Sequence, residues 1–517
     1  MKKNNTNRSV RNLISGFALK IFQIIVLFVI RTLIIKELGF DYAGLNSLFN
    51  SILTVLNLAE SGISTAMLVS MYEPIVKKDS IKLCALLNLY KIYYRVIGMV
   101  ILILGLVITP LIPNLIYGSI PSDINLYIIY FLNLGVTVLS YWLFSYKISV
   151  LQAYQRYDVL NIIYFCSNSL QYLLQIFLLI FTKNYYLYLI TVLVFQIITN
   201  LTIGIVSNIL FPKAKPDGNL SVKDKKQINS LIKDLFNNKV GMIVTLSVDS
   251  IIISIFLGLV PLGIYQNYNY IITALIGFFT IFLQSIRSAV GTNLITKTIE
   301  ENYLDYKFIF FIGSAIIAFF STCYLSLVQT FMRIWVGSEN CLDNSTCVLF
   351  TLYMIVYLIA NLIMFYRDCA GLWHSDRFRP LITALLNLVL NIVFVNFMGI
   401  NGILLVTILS YLIVYIPWGF SKIFTELFDK SKIKETIFMI FINLVMIVIS
   451  TTISYLLCNL ISFTNLYLEL FLKGLVSFLI SIFLIVIFNL KNNNLKKIFS
   501  KLKNSLFYKG VQKNEKK

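Results

Sequence analysis

The chain has 517 residues, 58% of them hydrophobic and only 13% charged, with a mean hydropathy of +0.83. Soluble domains carry about 25% charged residues, so a deficit of about twofold excludes a large soluble protein. Lys and Arg outnumber Asp and Glu by 43 to 23, a net charge of +20, yet this excess lies between apolar runs. No RNA- or DNA-binding motif accompanies it, so nucleic acid is not the expected partner.

In chain order, the basic segment Met1–Arg11 runs into an apolar stretch that resembles a signal peptide. No small-residue cleavage site closes it, so it reads as a retained first helix. Spans are expected near 12–36, 44–71, 84–111, 125–151, 159–182, 186–210, 238–260, 264–292, 306–329, 346–371, 381–397, 400–421, 434–459 and 467–490. Each is close to the ~20 residues that cross ~30 Å of hydrocarbon at ~1.5 Å per residue. The fold class is therefore all-α and integral to the membrane, with about fourteen transmembrane helices.

Basic clusters at Met1–Arg11, Glu73–Lys82, Pro212–Lys239, Lys422–Lys434 and Lys491–Lys517 all fall on one side when the spans alternate. The positive-inside rule makes that side the cytoplasm and returns both termini to it. The longest loop, Phe211–Asn238, contains Pro212, Pro216 and Gly218 and divides the chain. Within it, Ser221–Phe236 has the apolar spacing of an amphipathic helix lying on the membrane surface.

Sliding the chain by 219 residues aligns Leu38-Gly39 with Leu257-Gly258, Gly44 with Gly263 and Asn50 with Asn269 without a gap. Six helices separate the copies, so the repeat is parallel, with an axis along the membrane normal and a cavity between two six-helix lobes. The expected organisation is a lobe over 1–210, a linker over 211–237, a second lobe over 238–424, two additional helices over 434–490 and a basic tail over 491–517.

A charge inside a span costs about 2.5–3.5 kcal/mol on insertion scales, so each one calls for a reason. Lys20 and Arg31 lie close to three turns apart on one face of the first span, with Gln23 and Thr32 beside them. Glu60 falls mid-way along the second span, on a polar stripe with Asn46, Asn50 and Asn57. Asp249 sits in the seventh beside Ser247 and Ser250, and Arg287 in the eighth with Gln266, Asn267, Asn269 and Gln284. These residues read as a hydrated cavity in which Lys20, Arg31 and Arg287 meet an anionic cargo, because ammonium and guanidinium groups exchange water for phosphate oxygens. Glu60 and Asp249 would be counter-charges or ion-coupling sites; the competing reading is a set of ion pairs that stitch helices together. Glu469 and Lys473 form a local i,i+4 pair.

Seven cysteines show no metal-ligand spacing and His374 is the only histidine, so no metal is expected. Cys341 and Cys347 share a short external loop where a disulfide is one option.

Glu37-Leu38-Gly39-Phe40-Asp41-Tyr42-Ala43-Gly44-Leu45-Asn46-Ser47-Leu48-Phe49 and Leu56-Asn57-Leu58-Ala59-Glu60-Ser61-Gly62-Ile63 resemble the N-terminal part of Wzx-type polysaccharide repeat-unit flippases. Met71-Tyr72-Glu73-Pro74, Lys77-Lys78-Asp79, Leu89-Tyr90-Lys91 and Tyr94-Arg95 continue the likeness, which is close over 37–113 and topological beyond. Those flippases belong to the multidrug/oligosaccharidyl-lipid/polysaccharide exporter superfamily. The resemblance implies two six-helix lobes with two extra helices, a bacterial cytoplasmic membrane, and a non-enzymatic transporter. Its cargo would be undecaprenyl-diphosphate-linked oligosaccharide, its coupling ion Na⁺ or H⁺, and its neighbours a polysaccharide polymerase machinery. A drug/cation antiporter and a lipid II flippase of the same superfamily are the alternatives, with a membrane polysaccharide polymerase further off.

Overall fold

The computed structural model describes residues 2–118, 120–372 and 376–489. Helices follow one another as α1 (Lys2–Glu37), α2 (Phe40–Leu56), α3 (Ile63–Lys77), α4 (Ser80–Ile108), α5 (Leu126–Trp142), α6 (Tyr146–Ala153), α7 (Tyr157–Thr182) and α8 (Tyr185–Leu210). They continue as α9 (Val222–Phe256), α10 (Leu259–Thr296), α11 (Ile299–Val336), α12 (Asn344–Ala370), α13 (Arg379–Ser410), α14 (Ile416–Glu426), α15 (Ile433–Asn459) and α16 (Leu466–Asn489). Polar residues in the loops start many of them. Asn125 and Asn184 accept from the first amides of α5 and α8, Ser221 caps α9, and Thr298 with Glu301 forms a capping box on α11.

Among the described residues nine helices are long and apolar enough to cross a membrane, or eleven when two bent pairs each count as one. The chain is thus an all-α, multi-pass membrane protein. Three expected spans lie outside that tally for local reasons. The first begins in residues whose side chains are not described, and the seventh scores over Ser247–Phe256 alone. The eleventh and twelfth are merged in one segment, Arg379–Glu426. Gly399 (φ 56°, ψ −133°) breaks α13 between those two, where the sequence divides them. Only glycine holds that backbone without strain. Gly399→Ala is therefore expected to cost about 1–3 kcal/mol, read as a lowered melting temperature of the detergent-solubilised chain.

Two spans expected to be continuous are broken. Asn57–Glu60 forms a 3-10 turn, Gly62 is left-handed at φ 93°, and α2 and α3 meet at 41°. Phe144, at φ 55°, parts α5 from α6 at 51°. The expected surface helix over Ser221–Phe236 is corrected in the opposite sense: it runs unbroken into the seventh span as the 35-residue α9. No proline interrupts it, and at Gly241 the backbone of α9 closes directly on Pro380 of α13. The linker before it is pinned, because Lys147 Nζ donates to the Ala214 carbonyl (2.7 Å) and Asn88 Nδ2 to that of Gly218 (2.8 Å).

The chain forms two compact units, Met1–Tyr270 with Trp373–Ser410, and Ile271–Leu372 with Tyr411–Lys517. These cut across the lobe boundaries expected near 210 and 238, because α9 packs on α13 and also on α2 and α3. In the second unit α11 is the central helix, against α12, α15 and α16. Hydroxyl pairs fasten it to α15: Tyr303–Thr436, Ser321–Thr451 and Ser326–Ser454, each at 2.9 Å. Small polar side chains suit a packing surface in lipid, where apolar residues gain little from association. The expected Glu469–Lys473 pair (2.6 Å) is buried and joined by Thr330, so it also ties α16 to α11. The optional Cys341–Cys347 disulfide is not formed.

The repeat is visible in the first unit as two equivalent turns. Leu38 and Gly39 both donate to the Ile34 carbonyl, and Leu257 and Gly258 both donate to that of Ile253, all at 2.8–3.0 Å. Gly39 (φ 111°) and Gly258 (φ 97°) turn the chain into α2 and α10. The turns pack on each other reciprocally: Gly44 lies on the Leu259 carbonyl, and Gly263 on the Phe40 carbonyl. Phe40 and Leu259 are themselves partners at the offset of 219, as are the two glycines.

Candidate functional site

Of the five charged residues singled out in the sequence, three lie in the first unit with described side chains: Arg31, Glu60 and Asp249. Lys20 is on α1, but its side chain lies outside the described residues. Arg287 is on α10 in the second unit, exposed, with no ion pair among the described residues.

Arg31 is half-buried where α1, α2 and α10 meet. Its Nε donates to Asn267 Oδ1, Nη1 to Ser47 Oγ (3.5 Å) and Nη2 to the Gly263 carbonyl (2.9 Å). A hydrogen bond from a charged donor contributes about 1.5–3 kcal/mol, so the guanidinium holds the two repeated turns together. The Gly263 oxygen can accept it while remaining in α10, since a carbonyl has two lone pairs. No carboxylate reaches Arg31 among the described residues, and the buried Asn267 Nδ2 finds no acceptor. The site has more donors than acceptors and carries an unneutralised positive charge.

Asp249, buried on α9, has the reverse imbalance. Its Oδ1 accepts from Asn391 Nδ2 (2.7 Å) and its Oδ2 lies 3.2 Å from Thr407 Oγ1. Asn391 Nδ2 also donates to Asn387 Oδ1 (3.1 Å), and Asn387 Nδ2 to Thr407 Oγ1 (2.9 Å). The Thr407 hydroxyl has one proton and two acceptors, Asp249 Oδ2 and the Ile403 carbonyl (3.0 Å). Asn391 Oδ1, fully buried, receives no donor. The cluster is therefore short of protons, and no Lys or Arg pairs with Asp249 among the described residues. Oxygen ligands of this kind suit a hard cation, and a proton on Asp249 would meet the same deficit. No group of three or more His, Cys, Asp or Glu that could hold a metal occurs among the described residues.

Glu60 lies at the break between α2 and α3. Its Oε1 accepts from the Ser64 amide (3.2 Å), the first turn of α3, and from Tyr94 OH (3.3 Å). Tyr90 OH donates to Tyr94 OH (2.6 Å), and Tyr141 OH to Asn57 Oδ1 (3.0 Å). Glu60 is thus a helix cap as well as a charge in a span.

Among the described residues these charges form no cluster of ion pairs. The structure gives Arg31, Glu60 and Asp249 neutral polar settings, and the residues around Asp249 are ones the sequence reading passed over: Asn387, Asn391 and Thr407. Asn387 and Asn391 are four apart, so two amides on one face of an apolar span was the available signal.

Helix order, broken spans and the repeated turns define the class: an all-α, multi-pass membrane fold with an internal repeat. No protein-family model matches the chain, and no curated protein matches it in sequence. Among solved structures it is similar to "Lipid II flippase MurJ, inward closed conformation", with a TM-score of 0.67 at 16% identity over 93% of this chain and 99% of that one. It is also similar to an inward-facing multidrug resistance MATE family transporter of the MOP superfamily, with a TM-score of 0.63 at 13% identity over 82% of this chain and 99% of that one. A MATE structure in the bent conformation follows, at 0.55 and 12% identity, over 83% and 97%. At these identities the likeness is one of fold, and the similar chains are transporters and a flippase.

Proposed function

We propose that this chain is a lipid-linked oligosaccharide flippase of the bacterial cytoplasmic membrane, with both termini in the cytoplasm. It moves undecaprenyl-diphosphate-linked repeat units from the inner to the outer leaflet by alternating access of two six-helix lobes. The observation that carries the reading is the unneutralised positive charge on the spans, at Arg31 with its surplus donors and at exposed Arg287. An anionic diphosphate supplies the acceptors such groups lack, and a cationic drug would be repelled. Lys20, on the same helix face as Arg31, would join them.

Asp249, Asn387, Asn391 and Thr407 would hold the coupling ion, Na⁺ or H⁺, which supplies the missing positive charge. Their role is to bind it in one conformation more tightly than in the other, so that its gradient biases the cycle. The likeness to a lipid II flippase favours a second reading with the same cargo chemistry, a glycan on a lipid diphosphate.

The test is translocation of labelled undecaprenyl-diphosphate oligosaccharide in proteoliposomes. Arg31→Gln and Arg287→Gln are each expected to slow it by at least about tenfold, the loss of one charge-assisted contact, with the protein still inserted. Wild-type rates in both variants, or transport of drug cations alone, would sink the reading.

A further inference from the structure

We infer that a polar cavity of about 360 Å³ inside the first unit, walled by the breaks in two helices, is a sugar-binding subsite. The inference rests on the flippase reading and extends it from the diphosphate to the glycan.

The cavity lies among α3, α4, α5, α6, α7 and α8. Both bent pairs reach it at their breaks: Glu60 comes from the turn between α2 and α3, and Ser145 from the turn between α5 and α6. Irregular backbone at membrane depth is tolerated where it lines a hydrated cavity, because the carbonyls and amides freed by the break need polar company. Discontinuous spans converging on one place are a mark of substrate sites in transporters.

Its lining separates ligand classes. Pockets for drug-like molecules have volumes of about 300–1,000 Å³ and are mainly apolar. Here Ile148 is the one aliphatic side chain in a lining otherwise of hydroxyls, amides, tyrosines and a single carboxylate. On α7, Tyr164, Asn168 and Gln171 repeat at helical spacing. None of the three polar tips has a protein partner among the described residues. Opposite them on α8, Gln196 Nε2 donates to Asn200 Oδ1 (3.1 Å). Glu60 uses Oε1 for its two protein donors, and among the described residues its Oε2 has none.

Amides that both donate and accept match hydroxyls that do the same. A carboxylate oxygen forms short, strong bonds with sugar hydroxyls, and a tyrosine ring offers an apolar face beside its polar tip. A sugar ring meets all three demands. A lipophilic cation would meet only Glu60 and would leave the amides unpaired.

The experiment uses the full chain in lipid nanodiscs and saturation-transfer NMR with three probes: chitobiose, inorganic pyrophosphate and tetraphenylphosphonium. Chitobiose is expected to bind, and Asn168→Leu and Gln171→Leu to weaken it by about tenfold each, the loss of a bond or two. Tyr164→Phe keeps the ring and volume and is expected to weaken it less. It guards against a packing defect in the leucine variants. Arg31→Gln should leave chitobiose binding unchanged and weaken pyrophosphate binding. Loss of pyrophosphate dependence on Arg31 with sugar binding intact overturns the diphosphate reading alone. Absent chitobiose binding, unchanged binding in all three cavity variants, or displacement of chitobiose by tetraphenylphosphonium overturns the subsite.

Discussion

Gly44→Ala is expected to be among the most damaging single-methyl additions in this chain. The added carbon would fall well within contact distance of the Leu259 carbonyl, a backbone group of the facing turn. Backbone in a helical turn cannot move aside as a side-chain tip can, so the helices must separate. Overpacking of this kind costs about 1–3 kcal/mol and sometimes more. Separation would also stretch the bonds from Arg31 to Gly263 and Asn267, which span the same contact. At the equivalent position Gly263, a methyl would lie 2.8 Å from the Phe40 carbonyl, so Gly263→Ala should do less harm. Gly474→Ala serves as the control, since nothing stands within 4 Å of its methyl, and surface-type changes stay within about 0.5 kcal/mol. Thermal melting of the three purified variants should rank Gly44 below Gly263 and Gly263 below Gly474. Wild-type melting of Gly44→Ala would rule out the close contact.

Asp249→Asn is expected to leave the fold in place and to uncouple transport. Asparagine has the shape of aspartate, but its amide brings protons of its own and no charge. The deficit around Thr407 and Asn391 is then met from within the protein, so the coupling ion proposed for this site would no longer be needed. Cargo movement in proteoliposomes should lose its dependence on an imposed ion gradient and fall by at least about tenfold, a differential binding energy of ~1.4 kcal/mol. Thr407→Val removes a single ligand oxygen and should give a milder change, as a weaker ion dependence rather than its loss. A gradient response in Asp249→Asn equal to that of the wild type would remove the residue from coupling.

How much of this was legible in sequence follows from the range of the forces involved. Charged residues in apolar spans stand out one at a time, because the cost of insertion is local to the residue. Arg31, Glu60 and Asp249 were found in that way. Their partners were not, since Asn267 lies 236 residues from Arg31 and Asn391 142 from Asp249. Amides and hydroxyls are too common along the spans to announce which of them will meet. The break at Glu60 was also hidden, because hydropathy reads through a short 3-10 turn. Only Gly62 beside Asn57 hinted that the helix would stop.

The sequence by itself determined that the chain is helical, crosses a membrane many times, and repeats one glycine turn at an offset of 219 residues. These properties depend on runs of neighbouring residues: apolar length against bilayer thickness, and glycine where the backbone must turn at positive φ. Tertiary structure alone decided that the two turns face each other, that Arg31, Glu60 and Asp249 take neutral partners among the described residues, and that two broken helices open on one polar cavity. Each of these depends on which distant side chains share a hydrogen bond, a pairing set by packing across the fold.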